Sequence, residues 1–174
     1  MNIQKVMVIG AGQMGSGIAQ VCAQAGYEVK LNDREEKFFD RGFQTISKNL
    51  SRNVEKGRMT EDDKQAVLNT IDDANDVDLV IEAAVENMEI KQSIFKQLDA
   101  IAPAHAILAT NTSSLPITEI AAATKRPEQV IGMHFMNPVP VMKLVEIIRG
   151  LATNDEVYAA IEEMTKKLSI VAHQ

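Results

Sequence analysis

Three groups of residues in this chain have the types and spacing to do chemistry. The first is Gly10-Ala11-Gly12-Gln13-Met14-Gly15, a G-x-G-x-x-G run that follows the apolar stretch Val6-Met7-Val8-Ile9 and opens a segment of helical period. In that setting Gly10 permits a tight turn, Gly12 leaves room for a diphosphate against bare backbone, and Gly15 lets helix and strand approach closely. The free N–H groups of the helix start then attract the anion. The second is Asp33, placed after the glycines near the roughly 20-residue spacing of a ribose-binding acid. Its carboxylate can accept from both adenosine ribose hydroxyls and would repel a 2′-phosphate, which favours NAD over NADP. Arg34 is the competing signal, because a basic residue there can pair with that phosphate.

The third group is His134 with Glu146. Glu146 sits in Leu144-Val145-Glu146-Ile147-Ile148, an otherwise apolar strand in which an unpaired carboxylate is costly. By alternation it shares a face with Leu144 and Ile148. His134 precedes it near the end of another strand, and a Pro138-Val139-Pro140 turn can bring the two side by side. A carboxylate-oriented imidazole is a general base for neutral pH, able to take a hydroxyl proton while the carbinol hydride leaves. A satisfied core histidine and an edge-strand glutamate facing water are the alternatives that spacing leaves open.

These groups need elements to position them, and the chain alternates strand-length apolar runs with helical segments. The pattern predicts a strand over Val6–Ile9, a helix over Gln13–Ala25 stopped by Gly26, and a strand over Tyr27–Asp33. A long helix follows over Glu36–Lys56, with another helix start at Thr60-Glu61-Asp62-Asp63. Next come a strand over Leu79–Ala84, a helix over Met88–Ile101, a strand over Ile107–Thr110, a short helix over Ile117–Ala123 and a strand over Val130–Phe135. Such alternation implies right-handed crossovers. Only 136–142 separates that last strand from Lys143–Ile148, too little for a parallel crossover, so the next strand runs antiparallel or leaves the sheet. Asp155–Leu168 is the final helix. The fold class is α/β: a doubly wound, Rossmann-type, mostly parallel sheet, helices on both faces, and an added antiparallel strand near the C-terminus.

Composition narrows the function. At 174 residues the chain fits one domain, and its net charge of −6 argues against nucleic acid as the main partner. Aromatics are 4% with no Trp, so base-stacking platforms are not expected. The one cysteine, Cys22, calls for no oxidising compartment, and the apolar start at 6–11 is too short to span a membrane. A cytoplasmic location without membrane attachment is the default expectation, and no metal site is expected.

Four stretches carry a resemblance: Val8–Gln20, Val80–Glu86, Asn111–Leu115 and His134–Glu146, the last reading His-Phe-Met-Asn-Pro-Val-Pro-Val-Met-Lys-Leu-Val-Glu. They resemble the L-3-hydroxyacyl-CoA dehydrogenases, and within them the bacterial 3-hydroxybutyryl-CoA dehydrogenases of fatty-acid and butanoate metabolism. The likeness implies NAD as cofactor and an acyl-CoA substrate, acetoacetyl-CoA or 3-hydroxybutyryl-CoA. It implies His134 as general base, Glu146 as the carboxylate that orients it, Ser113 near the substrate's 3-oxygen and the nicotinamide, and Asn137 as a positioner of both. Glu86 and Lys91 match cofactor-contacting positions and Lys56 one that contacts the CoA phosphates. By residue type alone, Glu86 is a solvated acid, Lys91 and Lys56 are surface charges, and Ser113 is a turn or cap residue.

Met136 departs from the family's pattern, standing where a second Phe is expected, and 168–174 does not clearly match the family's connection to its second domain. The expectation is therefore a single NAD-binding domain over 1–174, without the helical domain that supplies the family's homodimer interface and closes over substrate. A non-catalytic dinucleotide-binding or structural module, and a dehydrogenase of free hydroxy acids, remain the alternative readings.

Overall fold

A computed structural model describes residues 2–10, 12–32, 37–39, 71–83, 87–112, 115–142, 144–168 and 171–173. Among them the strands are β1 (Lys5–Ile9), β2 (Glu28–Asn32), β3 (Lys37–Phe39), β4 (Leu79–Glu82), β5 (Ile107–Thr110), β6 (Val130–Phe135), β7 (Leu144–Arg149) and β8 (Val171–His173). The α-helices are α1 (Gly12–Gln24), α2 (Met88–Ile101), α3 (Ile117–Ala121) and α4 (Asp155–Lys167), with 3₁₀ turns at Ile71–Asp76 and Pro127–Gln129.

All eight strands join one sheet in the order β3-β2-β1-β4-β5-β6-β7-β8. From β2 to β6 the neighbours run parallel, whereas β6 and β7 pair antiparallel and β8 returns parallel to β7. The chain leaves β1 toward β2 on one side and takes up β4 on the other, which places the switch of direction at β1. Ligands bind at such a switch point, outside the carboxyl ends of the strands.

The continuous apolar runs are explained by burial on both faces. Val6, Val8, Leu79, Ile81, Met133 and Val145 belong to one core, covered by Ile18 and Cys22 of α1 and by Val157 and Ile161 of α4. The alternate residues Met7, Ile9, Val80, Leu108 and Val130 belong to the other, covered by Ile94, Phe95 and Leu98 of α2 and by Ile117 and Ile120 of α3. Helices thus lie on both faces, as the sequence predicts.

Local chemistry ends the helices where expected. Gly26 is left-handed (φ 96°), and Tyr27 N–H reaches Cys22 O at 3.1 Å while Gly26 N–H reaches Ala23 O at 3.1 Å, the two bonds of a Schellman stop. Asn87 and Asn154 cap α2 and α4 by accepting from Ile90 N and Val157 N. The guanidinium of Arg126 closes the far end of α2, donating to Asp99 Oδ1 and to the carbonyls of Asp99, Ala102 and Pro103.

The predicted long helix does not begin at Glu36. Residues 37–39 form a strand paired antiparallel on β2, Val29 opposite Phe39; two successive Phe residues favour a pleated edge over a helix start. The rest of that predicted helix, and the helix start at Thr60, lie outside the described residues. The strand β8 was not predicted: three residues carry too little periodicity to read.

Candidate functional site

The hairpin from β6 to β7 sets His134 directly opposite Glu146 in the antiparallel ladder. Their side chains therefore leave the same face of the sheet, and His134 Nδ1 stands 3.0 Å from Glu146 Oε1. The histidine side chain is 21% exposed and the glutamate 42%, so the pair is open to solvent. The carboxylate accepts from Nδ1–H, which leaves the Nε2 lone pair as the basic position. Glu146 is thus neither unpaired nor on an edge strand, since β8 lies beyond it.

The turn after β6 holds Asn137, which is exposed, and closes through Val141 N–H and Met142 N–H onto Pro138 O at 3.1 and 2.9 Å. This turn is seated on α1: a Cβ placed on Gly17 would come 2.9 Å from Val139 Cβ. Asn111, just past β5, accepts the Phe135 N–H at 2.8 Å, tying the end of β5 to the residue after His134. The glycine helix and the histidine strand are thereby locked to one another by direct contact.

At the switch point, Gly10 is left-handed (φ 122°), and a Cβ on Gly15 would collide with the Gly10 carbonyl. Both glycines are required by backbone geometry, as the motif predicts. Gly12 and Gln13 lie in the first turn of α1, and Met14, half-buried, packs against the core. Ser16, fully buried on α1, has an Oγ with no hydrogen-bond partner among the described residues. Ala11, Asp33, Lys56, Glu86 and Ser113 lie outside the described residues.

Lys91 is not the helix-surface charge that its type suggests. It has no exposed surface, and its ammonium donates to both carboxylate oxygens of Glu82, at 2.8 and 2.9 Å. Glu82 also accepts from Thr110 Oγ1 at 2.6 Å. The described bonds of Lys91 thus run to Glu82 and Thr110. Glu82 itself escaped the sequence reading, although the signal is the one that exposes Glu146: an acid closing the apolar run Leu79-Val80-Ile81. Asn111 carried no comparable signal, because its acceptor role depends on strand order.

No helix of the described residues is long and apolar enough to cross a membrane, and none of their His, Cys, Asp and Glu groups could hold a metal ion.

Residues 5–172 match the family model described as 3-hydroxyacyl-CoA dehydrogenase, NAD binding domain. A probable 3-hydroxybutyryl-CoA dehydrogenase of Bacillus subtilis is 52% identical over 99% of this chain and 62% of its own length. The 3-hydroxybutyryl-CoA dehydrogenase of Clostridioides difficile is 46% identical over 96% of this chain and 62% of its own length. Among solved structures, the (S)-3-hydroxybutyryl-CoA dehydrogenase of Ralstonia eutropha superposes with a TM-score of 0.79 at 45% identity, over 98% of this chain and 62% of that one. The chain therefore spans about three fifths of these relatives.

Proposed function

The chain belongs to the NAD-binding domain family of the 3-hydroxyacyl-CoA dehydrogenases, and from that premise we propose that it is the cofactor-bearing part of an enzyme interconverting (S)-3-hydroxyacyl-CoA and 3-ketoacyl-CoA. Short acyl groups are the proposed substrates, 3-hydroxybutyryl-CoA and acetoacetyl-CoA, in keeping with the names of its relatives.

The residues present fit the dinucleotide. The Gly10 turn and the side-chain-free contact between Gly15 and Gly10 leave backbone N–H groups bare at the start of α1, where a diphosphate is held by hydrogen bonds and by the helix dipole. Asp33, the residue that follows β2 in sequence, would take the adenosine ribose. NAD, when bound, accepts the hydride. The strands that would receive the other half of the cofactor are β4 and β5, on the side of β1 away from β2 and toward His134.

The observation that carries the reading is the 3.0 Å contact of His134 Nδ1 with Glu146 Oε1 on directly paired residues. Nε2 takes the proton of the 3-hydroxyl as the C3–H bond breaks with its electron pair, and returns a proton to the 3-oxygen in reduction. Glu146 holds the ring and stabilises the imidazolium. Asn137 and Ser113 position the 3-oxygen and the nicotinamide, Glu86 contacts the cofactor, and Lys56 meets the CoA phosphates. A homodimer would form through the further helical domain of the family.

The test is NADH oxidation by acetoacetyl-CoA and by free acetoacetate, at enzyme concentrations high enough for single turnovers. Wild-type chain should prefer the thioester, and His134→Ala should lower the rate by about 10²- to 10⁴-fold. Equal measurable rates from the two proteins, or no preference for the thioester, would overturn the assignment.

A further inference from the structure

The charged pair under the sheet's carboxyl edge, Glu82 with Lys91, has no role in the hydride and proton steps. Both side chains are 0% exposed. Among the described residues the carboxylate accepts three hydrogen bonds, two from the Lys91 ammonium and one from the Thr110 hydroxyl, which the ammonium also approaches at 3.5 Å. Glu82 is the last residue of β4 and stands level with Ile9 of β1 on one side and Thr110 of β5 on the other. Gly10 and Asn111 follow those two neighbours immediately. The main chain is knit at the same level, Ala83 N–H to Ile9 O at 2.6 Å and Asn111 N–H to Glu82 O at 2.7 Å. Lys91 comes from the first turns of α2.

Two strand ends and one helix start thus meet at a single carboxylate, and the end of β1 is joined to them through the main chain. The location matters more than the ion pair itself. Burying two charges is expensive, and apolar residues of the same size commonly serve a core as well or better. What apolar residues lack is direction: three hydrogen bonds fix where the ends of β4 and β5 and α2 stand relative to each other. The cluster lies beside the glycine turn, on the side of β1 away from β2. The adenosine ribose would fall to Asp33, the residue after β2 in sequence, so the nicotinamide half is the part that would pass over the strand ends at Glu82.

We propose that Glu82 is a positioning residue, whose buried bonds to Lys91 and Thr110 set the ends of β4, β5 and α2 to receive the nicotinamide half of NAD. This rests on the reading that the cofactor crosses those strand ends.

The experiment compares NADH with ADP-ribose, which keeps the adenosine and diphosphate and lacks the nicotinamide. Both are titrated calorimetrically into wild-type chain, Glu82→Gln, Thr110→Val and the double variant Glu82→Met/Lys91→Met. Glu82→Gln should lose about tenfold or more in NADH affinity, since ångström-scale misplacement is costly, while ADP-ribose binding stays within about twofold. Thr110→Val should show a smaller loss of the same selectivity. The double variant, with similar volume and no buried charge, should keep a thermal midpoint near that of wild type and still bind NADH weakly. It carries the test if Glu82→Gln fails to fold. Parallel losses for both ligands, or wild-type NADH affinity in the double variant, would overturn the proposal. A wild-type chain that binds neither ligand would instead remove the cofactor reading, and the positioning role with it.

Discussion

Two acid–base pairs project from the same face of this sheet, near its carboxyl edge, and they are built in opposite ways. Glu82 and Lys91 have no exposed surface, and the carboxylate is shared among a cation and a hydroxyl. His134 and Glu146 make one contact of 3.0 Å and keep 21% and 42% of their side-chain surface in the open. A group that must give and take protons needs access, a free valence and a modest grip. One that must hold elements in place needs the reverse. Exposure and hydrogen bonding therefore separate the pair proposed to react from the pair proposed to position, although the residue types alone do not.

The contrast breaks most visibly in stability. Lys91→Ala removes the counter-charge that the described residues give the buried Glu82 carboxylate and should cost about 3–5 kcal/mol in denaturant unfolding. His134→Ala, in the open pair, should change stability by less than about 1 kcal/mol. Similar losses for the two would dissolve the distinction.

Glu146→Gln sharpens it from the other side. The amide keeps a hydrogen-bonding partner for the ring but no longer stabilises the imidazolium. The rate with acetoacetyl-CoA should fall by about 10- to 100-fold, with the unfolding midpoint nearly unchanged; a fully buried carboxylate behind a catalytic histidine is worth about 10⁴.

A third pair, at the amino edge of the sheet, serves as the control. Asp78 accepts from Gln4 N–H and Lys5 N–H at 3.0 and 2.9 Å and meets His105 Nε2 at 2.8 Å. Partial burial pushes its carboxyl upward, but the Lys5 and Gln4 amides and His105 outweigh it, and the acid ends below its ordinary value. A carboxyl lowered by folding contributes stability above its unfolded pKa and loses it as pH falls through the folded one. Asp78→Asn should therefore flatten the acid limb of the stability–pH curve and cost about 1 kcal/mol at neutral pH, without altering NADH binding. An unchanged acid limb would show that the bonds at Asp78 do not favour its ionised form.

Much of the fold was legible because the central strands are buried on both faces, so Leu79–Ile81, Ile107–Ala109 and Val130–Met133 appear as runs without a charged or polar side chain between helices of clear period. The antiparallel β7 followed from chain length alone, since 136–142 is too short to cross over. The strand at 37–39 was missed because its partner, the open edge of β2, cannot be known before the sheet is assembled. The His134–Glu146 contact was legible as a polar anomaly in an apolar strand. Lys91 was misjudged by type because lysine is rarely buried unless paired, and the partner that buries it lies at the end of another element.

The β6–β7 ladder also governs how the histidine's partner can be lost. Opposed positions in a ladder advance in whole residues, and a shift by one sends every side chain to the other face. The separation of His134 from Glu146 is therefore quantised by main-chain pairing rather than tuned by side-chain fit. Substitutions within the Pro138–Met142 turn leave that register in place, whereas inserting or deleting a single residue there would part the two groups.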